Sequence, residues 1–387
     1  MTDKGELSEW FDNLLLPSEA WVVDIVFRDT INPLPANADQ NELLHFIARN
    51  GLAPLVFFHL KKHHQKQYPE SFLSSLKKEY LSSLLRNTNL YNTANEISIL
   101  LRKQNIPVIH LKGGLIGPTI YGDAALRPMS DIDLLVPADT ISNAVDQIIM
   151  RGGKVVSSHE KDVPTNHHYP LITYKTAPLE LHRYLFPIHS KYFIPIEDIW
   201  HQATEWQKEP VSILGPSRVH TLLYLMVHVY YTFKRGGLRL GWLADFTWLY
   251  KHLTEQDLME VSSWVKKWQI HEPYTFITTL MKQLSRGKIT FPSFETEHSN
   301  NYYRPQIKRA VRFFRHSSQQ NEAYSYELMW ERIIEANSFK EKLILIKQSL
   351  TKGVESGSPR AYSSRFYHLF IKTLKMLQQK AHDSFYQ

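Results

Sequence analysis

Residues 111–136 read LKGGLIGPTIYGDAALRPMSDIDLLV, and this stretch decides the expected fold. The glycine pair 113–114 follows a short apolar run at 106–111, and Asp131 and Asp133 stand in and beside a second apolar run at 132–136. Short apolar runs bounded by glycine or proline are typical of buried strands. Because residues two apart in a strand point to one face, the spacing places the two carboxylates on one face, roughly 6.5 to 7 Å apart.

Two carboxylates this close repel each other unless a cation joins them. A pair of Mg²⁺ ions would do so, because hard cations bind carboxylate and phosphate oxygens and clamp both sides of a phosphoryl displacement. Lys112, Gly113 and Gly114 open a predicted helix, where backbone N–H groups are able to cradle phosphate. The alternative is that Asp131 and Asp133 simply end a strand at a solvated edge.

A glycine pair after a strand, followed by a D-x-D strand, resembles the DNA polymerase β-like nucleotidyltransferase superfamily. The segments LKGG, YGD, LRP and SDIDLLV resemble one bacterial branch of it, the nucleotidyltransferase family, over residues 106–250. The resemblance implies that Asp131 and Asp133 bind both metal ions, two Mg²⁺ with Mn²⁺ as an alternative. It also implies a third carboxylate on a later strand, which completes the metal site and helps to deprotonate an acceptor hydroxyl.

Glu180 is assigned as that third carboxylate, because it is the only acid within a clearly strand-like run downstream, Leu179-Glu180-Leu181-His182. An exposed strand acid without a catalytic role is the alternative. Glu160, Asp162 and Asp139 are weaker candidates, since they fall in predicted turns or at a helix start.

Further polar residues have two interpretations each. Arg127 suits bidentate phosphate binding, or it forms a surface ion pair. Ser130 donates to a phosphate, or it is a plain residue at a strand entry. His182, on the strand face of Glu180, contacts the triphosphate or the acceptor, or it is a packed histidine.

His228 and Asp245 resemble the positions of a histidine helix and an acidic helix in relatives of the family. We expect them to shape the acceptor or nucleobase pocket, and a structural contact between the two is the alternative. Asp245 lies among apolar residues, and an acid in such a helix needs a partner or a ligand.

The composition excludes several classes of protein. The 387 residues contain no cysteine, so disulfide frameworks, thiolate zinc sites, iron–sulfur clusters and cysteine nucleophiles are excluded. Residues 1–17 lack the pattern of a secretory signal, and the most apolar stretch, 219–233, is shorter than the ~20 residues of a bilayer span. We therefore expect a cytoplasmic protein without a transmembrane segment.

The net charge is +7, and much of the excess lies near the C-terminus. A helix predicted over 362–379 combines a basic face with an apolar one. It either docks on an anionic partner or is a solvated face over a packed one. Nucleic acid is a less favoured partner, because no reader motif accompanies the charge.

The whole pattern predicts an α+β fold. A minimal nucleotidyltransferase core with a mixed sheet of about five strands occupies 106–215, between a helical lobe at 1–105 and a second helical lobe with a basic tail at 216–387. The predicted reaction moves an NMP group from an NTP, ATP included, to a hydroxyl of a small-molecule, sugar, peptide or protein acceptor and releases pyrophosphate. The alternative is a catalytically degenerate protein that keeps the fold for binding or as an adaptor.

Overall fold

The computed structural model describes residues 9–63, 67–156, 162–188, 190–208, 211–294 and 302–316. The chain divides into two compact units, one of residues 1–231 with 238–315 and the other of residues 232–237 with 316–387. The first unit carries the sheet and the candidate site described below. The second has only residues 232–237 and His316 within the described part, so the basic helix predicted over 362–379 lies outside the described residues.

Helices precede the sheet, as the three- and four-residue spacing of apolar side chains predicts. Asp39 caps the second of them by accepting hydrogen bonds from the backbone N–H groups of Asn41 and Glu42. The fourth is 33 residues long and buries one side. The helices are α1 (Pro17–Phe27), α2 (Gln40–Arg49), α3 (Ala53–His63) and α4 (Glu70–Arg102).

The core is a five-stranded mixed sheet, which confirms the predicted fold class. Its strands are β1 (Ile109–His110), β2 (Ile132–Leu135), β3 (Lys154–Val155), β4 (Ile172–Tyr174) and β5 (Ala177–His182), in the order β1-β2-β5-β4-β3. Strands β2 and β5 are parallel, and the other pairs are antiparallel. Helix α6 (Ile141–Met150) lies between β2 and β3 in the chain.

The two faces of the sheet differ because side chains alternate along each strand. Ile132 and Leu134 of β2, with Leu179 and Leu181 of β5, are fully buried in one apolar cluster with side chains of α4 and α6. The residues between them, Asp133 and Glu180, must therefore point to the opposite face. We call this opposite face the acid face.

The glycine pair lies in a short helix, α5 (Lys112–Ile116), which continues as one π-helical turn over Gly117–Tyr121. Lys112, its first residue, has φ 43°, in the left-handed region that a non-glycine residue rarely adopts. The chain then returns through a turn at residues 122–131 to β2.

The remaining elements are α7 (Ile196–His201), a hairpin of β6 (Thr204–Lys208) and β7 (Val211–Gly215), α8 (Arg218–Lys234), α9 (Leu240–Tyr250), α10 (Glu255–Lys267), α11 (His271–Leu284) and α12 (Arg304–Arg315). Ser217 caps α8 by accepting a hydrogen bond from the N–H of His220 at 3.2 Å. Within the described residues no single helix has the length and apolarity to cross a bilayer. The helices at 40–49 and 53–61 reach that measure only together, across a bend of 116°.

Candidate active site

Two acidic side chains face each other across the parallel pair at the centre of the sheet. Asp133 of β2 is in register with Glu180 of β5, so both carboxylates lie on the acid face. His182 follows two residues after Glu180 and shares that face. One ligand atom from each of these three residues lies within 4.8 Å of the other two, a spacing that allows a metal ion to be held.

Two nitrogen atoms neutralise Asp133, which is almost fully buried. Lys112 Nζ lies 2.7 Å from Asp133 Oδ1, and His182 Nε2 lies 3.0 Å from the same oxygen. His182 Nε2 is also 3.4 Å from Glu180 Oε2. Because a buried carboxylate is costly without a partner, these contacts explain why the acid is tolerated inside the protein.

These contacts shift the pKa of each group. Burial alone would raise the pKa of Asp133, but the charge of Lys112 and the hydrogen bond from His182 outweigh it and hold that pKa well below its usual range. The hydrogen bond from His182 also lowers the pKa of Glu180. Burial lowers the pKa of His182, yet its bonds to the two acids prevail and raise it. The acids therefore stay ionised at neutral pH.

Asp131 differs from the other acids. It lies one residue before β2 and is half-buried, and it is not among the three residues whose ligand atoms lie within 4.8 Å. Burial, followed by the charge of Asp133, raises its pKa, while a hydrogen bond with Ser130 acts the other way. The charge of Asp133 therefore acts on Asp131, whereas Asp131 itself lies outside the group of ligand atoms formed by Asp133, Glu180 and His182.

Arg127 forms a buried ion pair, not a surface one. Its Nε lies 2.9 and 3.1 Å from the two carboxylate oxygens of Asp245, and its second terminal nitrogen lies 2.9 Å from Asp245 Oδ2. The hydroxyl of Tyr121 donates to Asp245 Oδ1 at 2.8 Å. A buried acid needs a partner, and for Asp245 that partner is Arg127. The alternative contact with His228 is not the one formed by the Asp245 carboxylate in these hydrogen bonds.

The glycine pair is placed beside that ion pair. A Cβ atom added to Gly113 would lie 2.2 Å from Arg127 Nη1, so only glycine allows this approach. At Gly114 the nearest atom to an added Cβ would be 3.8 Å away. Arg127 Nη1 thus lies against the segment that we expected to bind phosphate.

Helix α8 carries Tyr224 and His228, and charges of the acid face act on both side chains. The Tyr224 hydroxyl is buried without a hydrogen-bond partner among the described residues. Burial raises the pKa of Tyr224, and the charges of Lys112, Asp133 and Glu180 act on it. Burial, with the charge of Lys112, lowers the pKa of His228 to about 3.

Sequence reasoning did not anticipate two further histidines near the site. The rings of His167 and His168 lie 5.5 and 5.6 Å from the ring of His182. A backbone bridge between residues 168 and 182 brings them there. Adjacent histidines in a single sequence do not reveal which later strand they meet, so no local signal identifies this group.

The other candidate acids have different surroundings. Asp162 is paired with Arg183, and Asp139 is exposed just before α6. Glu160 lies outside the described residues. Among the four acids considered from the sequence for the third position, the described structure brings Glu180 opposite Asp133.

A comparison with protein-family models identifies the family of the chain. The model of a family described as "Uncharacterised nucleotidyltransferase" matches residues 36–286. No curated protein matches the sequence. Among solved structures, the solution structure of the antibiotic-resistance factor ANT(2'')-Ia is similar at 14% identity and a TM-score of 0.36, over 49% of this chain and 97% of that one. Because the family model spans well over half of the 387 residues, the chain belongs to this nucleotidyltransferase family.

Proposed function

We propose that the protein is a metal-dependent nucleotidyltransferase that moves an NMP group from an NTP to an acceptor hydroxyl and releases pyrophosphate. The observation that carries the proposal is the in-register pairing of Asp133 and Glu180, with Lys112 and the glycine pair at its edge. Family membership supports nucleotidyl transfer as the general reaction. The acceptor is proposed to be a small molecule, sugar, peptide or protein.

The donor set on the acid face fits a divalent cation. Asp131, Asp133 and Glu180 are proposed to hold two Mg²⁺ ions, with Mn²⁺ as the alternative. Bound ions would neutralise phosphate charge and lower the pKa of the attacking hydroxyl. His182 is a further ligand candidate, because its Nε2 belongs to the group of atoms within 4.8 Å. A nitrogen ligand of this kind favours binding of Mn²⁺ over binding of Mg²⁺.

The chain's own residues would divide the remaining work. Glu180, which is half-buried whereas Asp133 is buried, is the proposed base for the acceptor hydroxyl. Lys112 supplies a cation beside the glycine pair, and Ser130 and Arg127 Nη1 are further donors proposed for phosphate. Tyr224 and His228 are proposed to contact the acceptor or the nucleobase, whereas Asp245 is proposed to act by holding Arg127.

Removing single carboxylates tests the assignment. Asp131→Ala, Asp133→Ala and Glu180→Ala should each abolish transfer of label from an α-labelled NTP to any acceptor in a cell extract, because a missing ligand costs several kcal/mol of charge stabilisation. Asp139→Ala removes an exposed acid and is the matched control that keeps activity. Near-normal turnover in folded Asp133→Ala would contradict the proposal.

The same variants separate binding from chemistry. If Asp131 and Asp133 hold the nucleotide-bound ion and Glu180 serves the acceptor side, Asp131→Asn should weaken NTP affinity strongly and Glu180→Gln should spare much of it. Titration calorimetry of both proteins with NTP and Mg²⁺ under one salt condition measures this. Equal losses, or a larger loss in Glu180→Gln, would show that the third carboxylate is wrongly assigned.

A degenerate binding or adaptor protein is the second candidate. It retains the fold without turnover, and the ionised acids on the acid face argue against it. Absence of NTP binding in the presence of Mg²⁺ and of Mn²⁺ would favour this candidate. A cytoplasmic location and an anionic partner for the helix at 362–379 stay predictions.

A further inference from the structure

A cavity lies on the face of the sheet opposite the acids. Its volume is about 450 Å³, within the usual size of small-molecule sites. Side chains of α4, the edge strand β1, the segment 114–118 and the hairpin β6–β7 form its walls. We call it the α4 pocket.

The strand register separates this cavity from the candidate active site. His110 of β1, which lines the cavity, is paired with Leu134 of β2. Leu134 belongs to the buried cluster under α4, whereas its neighbour Asp133 points to the acid face. The α4 pocket and the carboxylates therefore lie on opposite sides of one sheet.

His110 offers a hydrogen-bond acceptor with no donor. Its Nε2 lies 2.8 Å from Ser98 Oγ, and that hydroxyl donates its only proton to the carbonyl of Ala94 at 2.8 Å. Ser98 therefore accepts from His110 Nε2–H. Burial lowers the pKa of His110 to about 4, so the ring is neutral and Nδ1 carries a lone pair. Nδ1 is buried and has no partner among the described residues.

The mouth of the cavity adds a positive charge. Arg102, an exposed residue, lines it together with His110, and its Nε donates to the carbonyl of Ser98 at 3.2 Å. No hydrogen bond to another described residue uses the two terminal nitrogens of Arg102. Glu205, the acid at the mouth, already accepts from Ser212 Oγ at 2.7 Å. Glu205 keeps its negative charge in this contact, so the terminal nitrogens of Arg102 are the cationic donors that the mouth offers to an anionic group.

The walls are apolar and the rim carries amides. Ala94, Val108, Pro118 and Leu214 provide apolar surface, and exposed Asn92 and Asn95 provide both donors and acceptors. Such a cavity suits a flat apolar body with a few polar atoms at its edge.

We propose that the α4 pocket is a second ligand site, which binds a planar heteroaromatic ring or amide with an N–H donor for His110 and an anionic group for Arg102. This ligand is distinct from the NTP and the acceptor of the proposed reaction. Gly114 lines the pocket and belongs to α5, so an occupant contacts the back of the helix whose first residue is Lys112.

Three probes of one shape test the proposed recognition by titration calorimetry on the full chain. Uracil has the planar ring and N–H donors, orotate adds a carboxylate, and 1,3-dimethyluracil lacks both N–H groups. Orotate should bind about tenfold more tightly than uracil, because a charge-assisted hydrogen bond is added, and 1,3-dimethyluracil should bind at least about tenfold more weakly than uracil.

Variants assign each contribution to a residue. Arg102→Gln should reduce orotate to the affinity of uracil, while Lys103→Gln, which changes an exposed neighbouring cation outside the pocket, should not. His110→Gln places an amide where Nε2 meets Ser98 and removes Nδ1, so the preference for uracil over 1,3-dimethyluracil should vanish. Ser212→Trp, an exposed position at the mouth, should weaken every probe.

One further variant distinguishes the α4 pocket from the candidate active site. Asp133→Asn should leave orotate binding unchanged, whatever its effect on NTP. The proposal is wrong if no probe binds at about 10 mM, if 1,3-dimethyluracil binds as well as uracil, or if Asp133→Asn weakens orotate as much as Arg102→Gln does. None of these results bears on nucleotidyl transfer, which the carboxylate variants test separately.

Discussion

The Arg127–Asp245 pair makes a quantitative prediction about stability. The two side chains are only 14% and 3% exposed, so Asp245→Asn would leave a buried guanidinium without its anion. Asparagine keeps an oxygen that accepts from Tyr121, and the change therefore removes mainly the charge. Breaking a buried pair by removing one partner costs about 3–5 kcal/mol.

This cost translates into a melting-temperature shift. The compact unit that contains the pair has about 300 residues. At about 2.1 cal/mol/K per residue, its unfolding entropy is about 0.6 kcal/mol/K, so the expected fall in Tm is about 5–8 °C. Differential scanning calorimetry and urea unfolding of the wild type and Asp245→Asn measure it.

An exposed ion pair in the same unit provides the matched control. The side chains of Lys175 and Glu96 are 58% and 45% exposed, so Glu96→Gln should cost less than about 1 kcal/mol. Arg127→Met combined with Asp245→Asn should be less destabilising than the sum of the two single changes, because no charge is left unpaired. If Asp245→Asn costs no more than Glu96→Gln, or if the double change is simply additive, the pair is not the buried anchor inferred here.

Three further predictions concern the glycine pair and the acid face. Gly113→Ala should destabilise the protein by about 1–3 kcal/mol, because an added Cβ meets Arg127 Nη1, whereas Gly114→Ala, with its nearest atom at 3.8 Å, is the control in thermal unfolding. The pKa values of Asp133 and Glu180 are lowered in the folded protein. These acids therefore stabilise the fold at pH values above their pKa in the unfolded chain, about 4, and lose that contribution as the pH falls. Asp133→Asn should therefore flatten the acid limb of a urea-unfolding series below about pH 5, and an unchanged limb would contradict the assignment. Since the pKa of His182 is raised, Mn²⁺ affinity should rise with pH until the ring has lost its proton, and His182→Gln should show a smaller rise in calorimetry.

The two central strands of the sheet could be predicted from the sequence, because each depends on a pattern of neighbouring residues. Apolar runs around Ile132 and Leu179 predict two buried strands, and period-two alternation places Asp133 and Glu180 each on one face of its own strand. The relation between the two strands is not local. Their parallel pairing, with residue 133 opposite residue 180, depends on α6 and the intervening strands.

Other elements lacked a clear local signal. Strand β6 has the sequence TEWQK, whose charged and amide side chains hide the strand period. Helix α11 begins at His271 and includes Pro273 in its first turn, where proline is tolerated. The pairing of Arg127 with Asp245 spans 118 positions, a separation over which a single sequence gives no register. The three-part division at 105 and 215 stays a prediction.

Lys112 lies between the glycine pair and Asp133 of the candidate site, and the sequence predicts that it binds phosphate. Its position before the glycine pair is local information, whereas its ion pair with Asp133 joins residues 21 positions apart. Lys112 makes this ion pair from a left-handed backbone conformation, which is costly for a residue with a side chain. In the proposed reaction Asp133 serves a divalent ion, and Lys112 then needs another anion. A triphosphate beside the glycine pair would provide one, so under the proposed function the same cation would pair with Asp133 in the free protein and with phosphate in the nucleotide complex.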